Sequence, residues 1–87
     1  MKSIWEATFE NNVIRIENTW FSGEKLFVNG ELQDFQINYL SSPKLTGHFI
    51  NSREEKISIK ANLLQEFWKI NCRLFIDDKP ISLKKLK

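Results

Sequence analysis

One cysteine, Cys72, and one histidine, His48, are all the thiol and imidazole this chain has. A lone cysteine forms no internal disulfide, which suits a reducing compartment. Together the two residues fall short of the three or four close ligands a zinc site needs, so neither a metal nor another cofactor is expected. Prolines number two and glycines three, which excludes collagen-like and linker-like chains. Gly23, Gly30 and Gly47 are scattered, so no glycine-rich loop is present to cradle a phosphate. No apolar run approaches the ~20 residues that span a bilayer. After Lys2, the polar Glu6, Thr8, Glu10, Asn11 and Asn12 break any signal-peptide core. The expected compartment is therefore the cytosol, with no membrane partner.

What the chain does have suits one small globular domain over residues 1–87. Its 87 residues are 41% hydrophobic, and Phe 7, Trp 3 and Tyr 1 supply bulky side chains to a core with few members. Thirteen Lys and Arg against eleven Asp and Glu leave a net charge of only +2. The local excess, Lys84, Lys85 and Lys87, reads as a solvated basic tail over 84–87.

The dominant period is two. Trp68, Ile70, Cys72, Leu74 and Ile76 alternate with Lys69, Asn71, Arg73, Phe75 and Asp77. Trp5, Ala7 and Phe9 alternate with Glu6 and Thr8; Ile14 and Ile16 with Arg15 and Glu17. Phe35, Ile37 and Tyr39, and then Ile57, Ile59 and Ala61, follow the same rule. Alternation of this kind marks strands with one dry face, as in antiparallel sheets. The spacers are too short for crossover helices. Asn29-Gly30 between apolar runs is a strong hairpin signal, Asp77-Asp78 is a second tight reversal, and Glu10-Asn11-Asn12 a third. Ser41-Ser42-Pro43-Lys44 and residues 51–55 read as loops. Asn62–Phe67 fits either a turn or two of helix capped by Asn62 or a loop. The expected fold is all-β, a single antiparallel β-sandwich of about eight strands with no helix or one very short helix. Segments 13–32 and 56–82 echo each other, which suggests two related halves.

One sequence of features adds to this: Trp5, then Val13-Ile14-Arg15-Ile16-Glu17, then Ser22-Gly23-Glu24-Lys25-Leu26-Phe27-Val28-Asn29-Gly30-Glu31. Lys56-Ile57-Ser58-Ile59 and Arg73-Leu74-Phe75-Ile76-Asp77-Asp78-Lys79-Pro80-Ile81 complete it. The order resembles the N-terminal β-sandwich domain of the Fas apoptosis inhibitory molecule family. Asn29 stands where that family favours Asp, Glu31 where it favours Lys, and Asp78 where it favours Gly. The resemblance implies an antiparallel sandwich without catalytic apparatus, and it does not extend to the family's role in cell death.

Catalysis needs a nucleophile, a base and an orienting group within reach. His48 falls on a solvent-facing parity, whereas Cys72 shares the parity of Ile70 and Leu74 and reads as a small core hydrophobe. Glu54-Glu55 lies between Arg53 and Lys56 as a screened loop pair. No enzyme is expected. If Leu26, Val28, Leu74 and Ile76 face inward, then Phe27 and Phe75 face outward, each with a basic residue two positions earlier, Lys25 and Arg73. Such aromatic and basic groups suit a binding surface. Trp20 and Phe21, entering a connector, are further candidates, with Trp20 also suited to covering one end of the sandwich. The expected function is a non-enzymatic module that binds another protein or itself through this face or a strand edge. The alternative is single-stranded nucleic-acid binding by Phe27, Phe75 and Trp20 with Lys25, Arg73 and the tail. Carbohydrate or small-ligand binding ranks third, because no polar cluster would orient a ligand.

Overall fold

The structure, a computed structural model, describes residues 2–19, 23–37, 44–66 and 69–87. Its strands are β1 (Lys2–Phe9), β2 (Asn12–Thr19), β3 (Gly23–Val28), β4 (Glu31–Gln36), β5 (Lys44–Ile50), β6 (Lys56–Glu66), β7 (Lys69–Ile76), β8 (Lys79–Ile81) and β9 (Lys84–Lys85). They form two antiparallel sheets, ordered β4-β3-β2-β1-β9 and β5-β6-β7-β8. This is the expected all-β sandwich, with no helix among the described residues. Each half of the chain is a four-stranded meander, so segments 13–32 and 56–82 hold equivalent places in opposite sheets.

Apart from Phe35 and Ile37, which are exposed, alternation places the core where the sequence pattern put it. Ile14, Ile16 and Leu26 of the first sheet and Leu45, Ile59, Leu63, Leu74 and Ile76 of the second are fully buried between the sheets. Each such side chain stabilises the fold by ~1.5–3 kcal/mol relative to exposure. The tight turns at Glu10-Asn11, Asn29-Gly30 and Asp77-Asp78 all have positive φ at both central residues, the arrangement of a type I′ hairpin. Asn29 also joins two turns: its Oδ1 accepts the Val13 N–H at 2.9 Å and its Nδ2 donates to Asn12 Oδ1 at 3.0 Å.

Two expectations are corrected. Residues 62–66 are neither helix nor loop: they continue β6, paired with β7 from Asn62↔Arg73 to Glu66↔Lys69. The segment is too short to nucleate a stable helix, and the ladder buries Leu63 in the core. Phe67 and Trp68, like Tyr39 and the 41–43 part of the Ser-Pro loop, lie outside the described residues. The 84–87 segment is not a free tail. Trp5 pairs with Lys85 and Glu6 with Lys84, the Leu86 N–H donates to the Ile4 carbonyl at 2.8 Å, and the Ile4 N–H donates to the Lys87 carbonyl at 3.2 Å. The backbone hydrogen-bonding needs of β1 recruit it, and the lysines remain exposed along that short edge.

The seams between the sheets are closed in two ways. On one side the chain itself crosses, leaving the second sheet at Ile81 and entering the first at Lys84. On the other, side chains of β4 pair with the edge of β5. Gln33 Nε2 donates to the His48 carbonyl (2.9 Å) while its Oε1 accepts the His48 N–H (2.7 Å). Asp34 Oδ2 accepts the Thr46 N–H at 2.8 Å, and Gln36 Nε2 donates to the Lys44 carbonyl at 2.7 Å. The register between β3 and β4 shifts at this point: Leu26 pairs with Asp34 and Phe27 with Leu32, which leaves Gln33 as an extra residue.

One turn tests the balance of local terms. Asp78 has φ 61°, a conformation that costs a side-chain-bearing residue but not glycine. Its compensation is a 3.1 Å ion pair with Lys60, exposed at both ends and therefore weak. Asp78→Gly is expected to raise stability by about 0.5–1 kcal/mol in urea unfolding. A loss instead would show that the ion pair outweighs the backbone strain.

Candidate interaction surface

Lys25 and Phe27 lie on the outward side of β3, and Arg73 and Phe75 on the outward side of β7, as alternation predicts. Their sheets pack against each other through their inner faces, so the two outer faces point away from one another. The two phenylalanines therefore belong to opposite surfaces and form no common one. Neither is fully exposed; both are half-buried among cross-strand neighbours. Phe27 lies between Arg15 of β2 and Leu32 of β4, and Phe75 between Lys60 of β6 and Pro80 of β8. Trp20 and Phe21 lie outside the described residues.

The more exposed apolar groups lie on and beside β4, and two of them, Phe35 and Ile37, correct the dry face that alternation assigns to them. Leu32 is 52% exposed, Phe35 44% and Ile37 54%. Leu32 and Phe35 have opposite parity, and in a regular strand they would face opposite sides. The extra residue Gln33 cancels that difference: Leu32 pairs with Phe27 and Phe35 with Lys25, both on the outer face of the first sheet. The break in parity between Leu32 and Phe35 was the signal that could have revealed this. Lys25 Nζ stands 5.8 Å from the Phe35 ring centre, a cation–π contact at the edge of the stripe. Further across the sheet, Glu17 meets Lys2 at 3.1 Å and Arg15 Nε at 3.6 Å, so the charges around the stripe are largely balanced.

Strand edges offer less than expected. The β4 and β5 edges are engaged with each other, β8 contains Pro80, and β9 is made of two lysines. The longest stretch of uncovered edge among the described residues is the part of β7 before Leu74, where pairing with β8 begins.

The titratable groups inside the fold are isolated. Asn18 and Glu24, opposite each other on β2 and β3, are buried, and Asn18 Nδ2 donates to Glu24 Oε1 at 2.7 Å. The other carboxylate oxygen, Oε2, is buried without a hydrogen-bond partner. Burial raises the Glu24 pKa, partly offset by the Asn18 hydrogen bond and a backbone one. Cys72 packs against the core, and burial pushes its thiol up to about 12. It faces inward while His48 faces outward, so the two do not meet. Among the described residues no three His, Cys, Asp or Glu come together to hold a metal ion, and no helix is long and apolar enough to cross a membrane.

No protein-family model matches this chain, and searches of curated proteins and of solved structures found no match. The functional reading therefore rests on geometry and chemistry.

Two measurements follow from the buried groups. A folded state that raises the Glu24 pKa holds a proton the unfolded chain has released, so stability falls as pH rises from about 4.5 through the folded value and then levels off. Urea unfolding of Glu24→Gln between pH 4 and 8 is expected to lack that fall; parallel profiles for the two proteins would remove Glu24 as its source. At pH 8, alkylation of Cys72 by iodoacetamide is expected to be roughly a thousandfold slower than that of a free thiol, and to become fast in denaturant. Rapid labelling of the folded protein would show the thiol to be accessible.

Proposed function

We propose that this chain is a non-enzymatic protein-binding module acting in the cytosol, and that its contact surface is the outer face of β3 and β4. The observation that carries the reading is the exposed stripe of Leu32, Phe35 and Ile37 beside the half-buried Phe27. Burying such a stripe on a partner recovers hydrophobic free energy that the monomer forgoes. Lys25 and Arg15 at its margin favour a partner surface whose apolar patch is bordered by acidic groups, or a second copy of this chain using Glu17 in that role. The expected face is thereby narrowed to its Lys25–Phe27 half and extended to β4.

The test compares wild type with Leu32→Ser/Phe35→Ser, whose side chains are exposed enough for substitution to leave the fold intact. Circular dichroism and thermal unfolding verify that the variant is folded. Sedimentation velocity then reads self-association, and affinity capture from native lysate reads other partners. The variant is expected to lose at least tenfold in affinity for whichever partner the wild type holds, as befits two hot-spot side chains. A folded variant that keeps every partner and the wild-type sedimentation profile would overturn the assignment.

A further inference from the structure

The outer face of the second sheet differs in kind from the surface just described. Its outward side chains fall in cross-strand rows. Lys44, Asn62 and Arg73 form one row over β5, β6 and β7, and Thr46, Lys60, Phe75 and Pro80 form the next, extending to β8. His48 with Ser58 and Ile50 with Lys56 follow toward one end, and Leu64 with Asn71, then the Glu66 and Lys69 positions, follow toward the other. Rows two residues apart along a strand are about 6.6–6.8 Å apart. Among the described side chains of these strands none is acidic. The nearby carboxylates, Glu54, Glu55, Asp77 and Asp78, sit in the two turns at one end, and of them Asp78 holds Lys60 at 3.1 Å. Lys44, Lys56 and Arg73 have no acidic partner among the described residues. The first sheet is unlike this: Glu6 and Glu17 are interspersed with its cations.

Unpaired cations on a face whose described strand side chains include no anion raise the local potential and attract a polyanion. Two features select among polyanions. Phe75 stands mid-row with part of its ring open, and a ring stacks on an unpaired base, whereas a duplex conceals its bases. Around it Asn62, Thr46, Ser58 and His48 offer hydrogen-bonding groups. At the seam with β4, Gln33, Thr46, His48, Lys56 and Ser58 line a shallow hollow of about 480 Å³. We propose that the outer face of β5, β6 and β7 binds single-stranded nucleic acid, with Lys44, Lys56, Lys60 and Arg73 holding phosphates and Phe75 stacking on a base. This site lies on the side of the sandwich opposite the β3–β4 stripe and stands independently of it.

The experiment is fluorescence anisotropy of fluorescein-labelled oligo(dT) and oligo(U), fifteen nucleotides each, titrated with the intact chain. Binding is expected at 50 mM salt and should weaken about 20- to 50-fold at 200 mM, the slope for three or four neutralised phosphates on a single strand. Lys44→Gln/Arg73→Gln should weaken binding at least tenfold and flatten that slope. Phe75→Leu should weaken it several-fold and leave the slope unchanged, since stacking is not a counterion effect. Both variants are verified for fold by thermal unfolding. No binding at 50 mM salt, wild-type affinity in folded Lys44→Gln/Arg73→Gln, or equal affinity for a duplex of the same length would each overturn the proposal. Displacement by polyglutamate as effective as by unlabelled oligonucleotide would also overturn it and assign the face to acidic proteins. Leu32→Ser/Phe35→Ser, on the opposite face, should bind the oligonucleotides like wild type.

Discussion

Three polar side chains of β4 do for β5 what a neighbouring strand would. The outward backbone groups of Lys44, Thr46 and His48 lie at the edge of the second sheet, where unpaired they would invite another chain. Gln33, Asp34 and Gln36 reach them at 2.7–2.9 Å and close the sandwich along that side. Delivering three near-consecutive side chains to one edge requires a break in the alternation of β4, and the extra residue Gln33 supplies it. Gly47 is part of the same device. A Cβ there would collide with Gln33 Oε1 and approach the Leu26 side chain to 2.9 Å, so glycine leaves room for Gln33 to reach the His48 backbone. The surface follows from the seam, because the same bulge turns Leu32 and Phe35 to one outer face.

With most of its edges occupied, the sandwich offers chiefly its two broad outer faces for recognition, and they have diverged in chemistry. One carries an apolar stripe among balanced charges; the other carries cations in rows with no acid among the described side chains of its strands. The two meanders are equivalent in layout, so Phe27 and Phe75 occupy matching places while meeting different surroundings. Leu32 and Arg15 flank the first, Lys60 and Pro80 the second. A net charge of +2 hides this division, since screening makes the local arrangement within about a Debye length matter more than the sum.

The buried polar pair is the least favourable feature of the interior. Asn18 satisfies one oxygen of Glu24, and no group among the described residues satisfies the other. A leucine at either position would pack without a desolvation penalty. The pair sits near the start of β3, beside Gly23, where φ is 85° and a Cβ would run into the Gln36 carbonyl. Backbone and side-chain constraints thus concentrate at the end of the sandwich where β2 gives way to β3, while the hairpin turns at the other end follow standard turn chemistry.

Much of this fold was legible in the linear pattern. Period-two alternation named Ile14, Ile16, Leu26, Leu74 and Ile76 as inward residues, and Asn29-Gly30 and Asp77-Asp78 marked the reversals, because both signals depend only on neighbouring residues. The strand character of residues 62–66 was not legible, since Asn-Leu-Leu-Gln-Glu has no period of its own and takes its form from β7. Nor was the pairing of Lys84–Lys85, which answers to hydrogen-bonding groups on β1 far away in the chain. The outward direction of Phe27 and Phe75 was sound, but parity states only whether a side chain faces in or out, never which sheet it leaves from. The sequence by itself determined the two-faced strands, their turns and the core they bury, all consequences of local geometry. Only the tertiary structure decided which outward residues share a surface, because that depends on how the sheets are ordered, where the register shifts and which edges meet.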